Sequence, residues 1–259
     1  MARGSLPSAM RIRLIGAGNI GSSLAREAED LGLAIEVADR VDKRAAALAE
    51  EVDGRVVAAE DPIDDVDLAV EAANQDVVAG PMLAALEAGT DALVMTTGAF
   101  ADPNLLDAAR EAMETTGARC HVPSGGICGL DGVKALALEP GADVTLTTRK
   151  PPSSLGPVPD DAEGEVFQGT AKQAVQEFPK NVNVAASLVL AGLVPEVRIV
   201  ADPSLDRNTH EVHVSSPNVE IRTEVASKPS PDNAATSHIA VLSAQARLRR
   251  IVEPLEVGT

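Results

Sequence analysis

Residues 11–40 constrain the fold of this chain more than any other stretch. An apolar run over residues 12–15 predicts a buried strand, a helical pattern follows, and a second run over residues 34–38 ends on Asp39. The first strand and the helix are joined by Gly16-Ala17-Gly18-Asn19-Ile20-Gly21. In this spacing the first glycine allows a tight turn, the second lets a pyrophosphate approach the backbone, and the third lets the helix pack closely on the strand.

The same stretch predicts a dinucleotide site. A pyrophosphate at the helix N-terminus would meet free N–H groups and the positive end of the helix dipole. Asp39 follows Gly21 by 18 residues, where it can accept hydrogen bonds from ribose hydroxyls and favour NAD, whereas Arg40 could contact the 2′-phosphate of NADP. A glycine-rich turn in some other α/β domain is the alternative, but the strand, helix, second strand and acid in register favour a nucleotide. We expect NAD to be used, with some NADP activity. The predicted cofactor contacts here are Gly16, Gly18, Asn19, Ile20, Gly21, Asp39 and Arg40.

Strand and helix patterns alternate as far as residue 122, which predicts an α/β fold with a doubly wound parallel sheet. Further strands are expected at residues 56–57, 67–71, 92–95 and 119–122, and helices at residues 43–51, 77–88 and 104–116. Ligands of such sheets lie beyond the carboxyl ends of the strands, so residues 72–74 and 96–98 are expected near the nicotinamide. Thr96 and Thr97 could equally cap the next helix.

A second glycine-rich turn over residues 123–129 marks a domain boundary. From residue 143 strands separated by turns predominate, which predicts an α+β unit with an open, mixed or largely antiparallel sheet. Residues 228–233 are predicted as a loop and residues 236–250 as a final helix. The predicted organisation is an extension (1–9), a dinucleotide-binding domain (10–122), a catalytic or dimerisation domain (123–235) and a C-terminal helix (236–259), which could pack back on the first domain.

The charge balance argues against several classes of partner. There are 39 acidic and 22 basic residues, no Tyr or Trp, and three Phe, so the chain repels nucleic acid and anionic membranes and has no aromatic surface for stacking bases. The acidic residues are spread evenly along the chain, which is typical of cytoplasmic proteins from salt-loving cells. The alternative is an acidic interaction tail, but the chain has no block of five like charges to support one. Cys120 and Cys128 are too few for a disulfide framework or a zinc site. We expect reduced thiols, a cytoplasmic protein and no metal.

His210 is the strongest candidate for acid–base chemistry. It shares a strand face with Val212 and Val214, so it is predicted to point inward, just after a polar turn that includes Arg207 and Asn208. An ordinary pKa of about 6.5 would let both protonation states be populated near neutrality. The alternative is a histidine satisfied within the core.

Asn181 and Asn183 bracket the start of an apolar helix that reaches residue 190. Either could be its N-cap. One cap is sufficient, so the second amide could hold a substrate carboxylate or a nicotinamide carboxamide.

The chain resembles L-aspartate dehydrogenases over nearly its whole length from Arg11. The matching motifs, in order, are residues 16–21, 123–127, 148–152, 178–186, 207–211 and 229–233. The resemblance implies oxidation of L-aspartate with NAD or NADP to iminoaspartate, which hydrolyses to oxaloacetate and ammonia or feeds NAD biosynthesis. We also expect a homodimer.

By this resemblance the family's catalytic histidine falls on His210 and its nucleotide-contacting asparagine on Asn183. A further nucleotide contact, usually alanine in the family, falls on Gly126, and the loop over residues 151–167 looks shorter than in many relatives. Hydride loss from Cα of a neutral amine needs a proton acceptor and anchors for two carboxylates. The predicted substrate contacts are Lys180, Asn181, Arg207 and Asn208. Lys180 and Arg207 could instead form surface ion pairs.

Two other functions remain open from the sequence. One is a homoserine- or dihydrodipicolinate-type oxidoreductase with the same domain plan. The other is a catalytically silent NAD(H) sensor, although an acidic chain without basic patches argues against one that reads DNA.

Overall fold

The computed structural model describes residues 10–63, 65–156, 158–178, 182–230, 233–255 and 257–258, so the predicted extension over residues 1–9 lies outside the described part. The chain divides into two compact units. The first comprises the described residues up to Met95 together with Asp107–His121. The second comprises Thr96–Leu106 and the described residues from Val122 onward. Residues 96–106 therefore group with the second unit, whereas the sequence analysis placed them between residues 10 and 122.

The first unit contains a six-stranded parallel sheet. Its strands are β1 (Arg11–Ile15), β2 (Ala34–Ala38), β3 (Arg55–Val56), β4 (Leu68–Glu71), β5 (Asp91–Val94) and β6 (Cys120–His121). They lie in the order β3-β2-β1-β4-β5-β6, and every pair is parallel. This is the strand order of a dinucleotide-binding sheet, with the reversal between β1 and β4. The predicted doubly wound sheet is confirmed.

Helices connect these strands. They are α1 (Asn19–Asp30), α2 (Asp42–Glu51), α3 (Gln75–Val77), α4 (Leu83–Glu87) and α5 (Pro103–Thr116). α1 buries Leu24, Ala25 and Ala28, the apolar face that its 3.6-residue period predicts. A π-helical turn, Val78–Met82, separates α3 from α4 and contains Pro81. Because proline lacks an N–H and clashes with the preceding turn, this segment is not a regular α-helix.

A buried ion pair joins the neighbouring strands β1 and β2 of the first unit. Arg13 Nη2 lies 2.7 Å from Glu36 Oε2, and the two residues are directly opposite each other in the β1–β2 register. Arg13 also donates to the carbonyl oxygens of Asp61 and Pro62, and Arg55 donates to Glu36. Hydrogen bonds to each charge offset the cost of burying it.

The second unit contains a mixed five-stranded sheet. Its strands are β7 (Asp143–Lys150), β8 (Gly164–Thr170), β9 (Glu196–Ala201), β10 (Asn208–Ser215) and β11 (Glu220–Ser227), in the order β11-β10-β7-β9-β8. Only the β7–β9 pair is parallel; the other three pairs are antiparallel. The predicted open, largely antiparallel sheet is confirmed. Its core includes Leu146, Leu188, Ile199 and Val212.

Four helices belong to the second unit: α6 (Leu130–Leu136), α7 (Ala171–Glu177), α8 (Val182–Leu190) and α9 (His238–Val252). Short 3-10 segments lie at Thr97–Ala101 and Pro152–Ser154. α9 begins two residues later than predicted, because Asn233–Ser237 forms β13 and pairs antiparallel with β12 (Pro229–Ser230). The prediction of a loop throughout residues 228–233 is therefore wrong. The strands here form by pairing between neighbouring segments, and no local periodicity in the sequence indicates that pairing. None of the helices in the described ranges is long and apolar enough to cross a membrane.

Candidate active site

The three glycines of the first turn have the contacts that a nucleotide-binding turn requires. Gly16 has a φ of +109°, and a Cβ there would lie 2.4 Å from the carbonyl oxygen of Ala72. A Cβ at position 21 would lie 1.8 Å from the carbonyl oxygen of Gly16. At Gly18, by contrast, a Cβ would meet no protein atom within 4 Å. Gly16 and Gly21 are required by the fold, whereas Gly18 leaves open space on the side from which a pyrophosphate would approach the backbone.

The start of α1 supports the same use. Gly18 occupies the N-cap position and has no side chain to accept from the first N–H groups of the helix. Asn19 and Ile20 form the first turn beyond it. A helix N-terminus without a side-chain cap is suited to an anion.

Asp39 lies at the end of β2 and is held by two backbone groups. Its Oδ2 accepts a hydrogen bond from Ala17 N at 2.7 Å, and its Oδ1 accepts one from Val41 N at 2.8 Å. A carboxylate has about four acceptor positions, so the fixed group can still accept from ribose hydroxyls. Arg40 beside it is exposed. The residues of this turn therefore fit NAD, and their individual contacts to the nucleotide stay predictions.

A buried carboxylate that the sequence analysis missed supports the next loop of the first unit. Glu71, the last residue of β4, is fully buried. Its Oε1 accepts from Ala73 N at 2.7 Å and its Oε2 from Met95 N at 3.0 Å. Glu71 thus joins the two backbone segments that follow β4 and β5, the predicted nicotinamide end of the sheet.

His210 lies on the inward face of β10, as predicted, and is only 6% exposed. Its Nδ1 lies 3.0 Å from Thr148 Oγ1, and Thr148 is the residue directly opposite it on β7. A Cβ at Gly126 would lie 3.3 Å from His210 Cδ2 and 3.5 Å from Nε2. The Nδ1 side of the ring is therefore held by the sheet, while the Nε2 side faces the second glycine-rich turn.

Burial changes the acid–base properties of this histidine. Removal from water, with a smaller contribution from the charge on Lys150, lowers the pKa of His210 to about 3. The expectation of a group that titrates near neutrality is therefore wrong for the protein without substrate. His210 is a neutral imidazole at neutral pH, the form that can accept a proton.

Lys150 is a second basic residue on the same face of the sheet. It ends β7, is 9% exposed, and lies two residues along the strand from Thr148. Burial lowers its pKa to about 8. Lys150 is not among the predicted site residues, although the alternation of Val144, Leu146, Thr148 and Lys150 along the strand predicts that it points inward.

Asn183, in the first turn of α8, is tied to the 3-10 segment of the second unit. Its Oδ1 accepts from Gly98 N at 2.9 Å, and its carbonyl oxygen accepts from Thr97 Oγ1 at 2.9 Å. Thr97 therefore donates a hydrogen bond to Asn183 and does not cap α5. At the start of α5, Asp102 Oδ1 accepts from Asn104 N instead. A contact between Asn183 and the nucleotide stays a prediction.

The predicted substrate contacts are not all in the described part. Lys180 and Asn181 lie outside the described residues. Arg207 forms an ion pair with Asp206, with Nε 2.6 Å from Oδ1, which is the alternative foreseen for it. Asn208 begins β10 opposite Ser227 and is half-buried. Within the described ranges, no three His, Cys, Asp or Glu side chains are arranged to hold a metal ion.

Two family models together match nearly the whole chain. The model described as "Aspartate dehydrogenase, C-terminal" matches residues 131–251, and the one described as "Homoserine dehydrogenase, NAD binding domain" matches residues 16–123. The first covers the sheet that carries His210, and the second covers the glycine-rich turn.

Similar proteins agree with these models. The L-aspartate dehydrogenase of Methanosarcina mazei is 36% identical over 270 residues, covering 96% of this chain and 100% of that protein. The L-aspartate dehydrogenase of Archaeoglobus fulgidus is 38% identical, with 96% and 100% coverage. The crystal structure of aspartate dehydrogenase from Thermotoga maritima matches with a TM-score of 0.77 and 30% identity, over 96% of this chain and 99% of that one. The chain belongs to the L-aspartate dehydrogenase family.

Proposed function

We propose that this protein oxidises L-aspartate to iminoaspartate with NAD or NADP, with His210 as the proton acceptor. Free iminoaspartate then hydrolyses to oxaloacetate and ammonia, or is consumed in NAD biosynthesis. The observation that carries the proposal is the buried neutral imidazole, with Nδ1 held by Thr148 and Nε2 directed to the second glycine-rich turn. Membership of the family supports the substrate.

The residues that would hold the cofactor are the glycine-rich turn, Asp39 and Arg40, with Asn183 and Gly126 as further contacts. When bound, NAD(P) supplies the acceptor for the hydride that leaves Cα of the substrate. Asp39 favours NAD because a carboxylate accepts from both ribose hydroxyls and repels a 2′-phosphate.

His210 removes the proton that the substrate ammonium must lose before hydride can leave Cα. If Nδ1–H donates to Thr148 Oγ1, the lone pair of Nε2 is available as the acceptor. A pKa of about 3 describes a weak base in the protein without substrate. Because L-aspartate brings two carboxylates, its binding stabilises the imidazolium and makes His210 a stronger base when it is needed.

The proposed reaction is tested by mixing the purified protein with L-aspartate and either nucleotide, at low and at molar salt, and recording NAD(P)H formation. L-Aspartate is expected to be oxidised, and L-homoserine to remain unchanged. Oxidation of L-homoserine without L-aspartate oxidation would overturn the substrate assignment. Nucleotide binding without any turnover would instead identify a sensor.

We also propose that the enzyme is a cytoplasmic homodimer with a dinucleotide-binding domain over residues 10–122 and a catalytic or dimerisation domain over residues 123–235. The free thiols of Cys120 and Cys128 fit a reducing compartment. Light scattering on the purified protein tests the dimer, and a monomer at micromolar concentration would contradict it.

A further inference from the structure

The inward face of the second sheet carries an ammonium group beside its imidazole. His210 is opposite Thr148 in the β10–β7 register, and Lys150 lies two residues beyond Thr148 along β7, on the same face. Lys150 and His210 are therefore diagonal neighbours on adjacent strands, a relation that places Cα atoms roughly 7–8 Å apart. A four-carbon side chain at one position can reach a ligand that contacts the other.

The position of Lys150 is unusual for a lysine. Lysine is rarely buried, because its strongly hydrated ammonium loses water at a large cost. Among the buried side chains of the second unit in the described ranges, Lys150 and His210 are the two that are basic. Lys150 is also the last residue of β7 and pairs with Ala201, the last residue of β9, so it lies at the edge of the sheet where the turns after these two strands begin.

Arg207, the predicted carboxylate anchor that lies within the described residues, is less suited to hold a buried anion. The chain has six lysines in all. Arg207 is 40% exposed and paired with Asp206, which also lies 3.2 Å from Lys228 Nζ. A carboxylate that meets Lys150 would be largely shielded from water, where the attraction between opposite charges is stronger than at the surface.

We propose that Lys150 is a substrate-binding residue whose ammonium holds one carboxylate of a dicarboxylic amino acid while His210 accepts the proton of its amine. The proposal rests on the proposed function and names the residue that selects dicarboxylates. Binding of the carboxylate also affects His210. The positive charge of Lys150 opposes protonation of His210, and the bound carboxylate offsets that charge.

Succinate tests this inference because it has two carboxylates and no amine, so its binding needs an anchor and no base. Calorimetry with NADH-saturated protein measures the succinate Kd for wild type, Lys150→Met, Lys150→Arg and Lys172→Met. Lys172 is an exposed lysine of α7 and serves as the matched control. Thermal melts and NADH affinity establish that each variant is folded and binds cofactor.

Lys150→Met is expected to raise the succinate Kd by about 30-fold or more, the usual loss when one partner of a buried charge pair is removed. Lys150→Arg keeps the charge and is expected to stay within about tenfold of wild type. Lys172→Met is expected to bind succinate as wild type does. If Lys150→Met does not fold, the same comparison is made with Lys150→Gln.

A succinate Kd within about threefold of wild type in folded Lys150→Met would overturn the anchor role. If L-aspartate turnover nevertheless collapsed in that variant, Lys150 would be the proton acceptor. Failure of the proposed function is a separate result: wild type would bind succinate in a Lys150-dependent way yet leave L-aspartate unoxidised.

Discussion

Replacing His210 by glutamine is expected to change how the stability of this protein depends on pH. The imidazole is buried and its pKa falls from the ordinary 6.5 to about 3 on folding, mainly because burial penalises the charged form. Between these pH values the unfolded chain binds a proton that the folded chain does not bind. Stability is therefore lost as pH falls below about 6.5, with a slope of about 1.4 kcal/mol per pH unit.

The magnitude follows from integrating that slope. Between pH 7 and pH 5 His210 alone should lower the free energy of unfolding by about 2 kcal/mol. Glutamine has a similar size and can hydrogen-bond to Thr148, but it does not titrate. The carboxylates contribute equally to both proteins, so the difference between wild type and His210→Gln isolates the imidazole.

Urea unfolding at pH 7 and pH 5 measures this difference. Because the chain has no Trp or Tyr, far-ultraviolet circular dichroism is the suitable signal. His238→Gln is the matched control for the exchange of a histidine for a glutamine, since His238 is exposed at the start of α9. Equal loss of stability in wild type and His210→Gln would refute the argument from burial.

The same variant tests catalysis. Loss of a positioned acid–base group should lower the rate of L-aspartate oxidation by about 10²–10⁴, while NADH affinity stays near wild type. Because the imidazole of the free enzyme remains neutral down to about pH 3, we expect no fall in kcat/KM near pH 6.5 from this residue. Normal turnover per folded molecule would show that His210 is a structural residue.

Three further predictions concern the cofactor, the second turn and the charge. Asp39→Asn should raise the KM for NAD by about tenfold and improve the use of NADP relative to NAD, because the carboxylate favours ribose hydroxyls; a wild-type enzyme active with NADP alone would contradict this. A Cβ at Gly126 would lie 3.3 Å from His210 Cδ2, a tight contact that a shift of a few tenths of an ångström relieves, so Gly126→Ala should retain activity within about threefold. The larger side chain of Gly126→Val should overpack the site by about 1–3 kcal/mol and lower activity about tenfold; equal kinetics of the two variants would refute the close approach. With a net charge of −17, the melting temperature should rise steeply from low to molar KCl as screening weakens self-repulsion, and a flat curve would reject the salt-adapted interpretation.

Local sequence patterns were sufficient for several features. The glycine spacing predicted which positions tolerate no Cβ, because turn geometry and helix–strand packing act within a few residues. The two-residue period of β10 predicted that His210 points inward, since alternation is a property of any extended strand. The sequence patterns also predicted the first and last residues of most helices and strands to within a few residues of those observed.

Only the tertiary structure decided what surrounds these side chains. The pairing of β10 with β7, far apart in the chain, brings Thr148 and Lys150 to His210, and no local pattern specifies that partner or its register. Burial by the assembled core, not the residue type, moves the pKa of His210 away from neutrality. In the same way Glu71 acquires a role only when the segments after β4 and β5 supply the N–H groups that its carboxylate binds. The sequence by itself therefore determined the fold and the kinds of residue available, whereas long-range pairing and desolvation decided their chemistry.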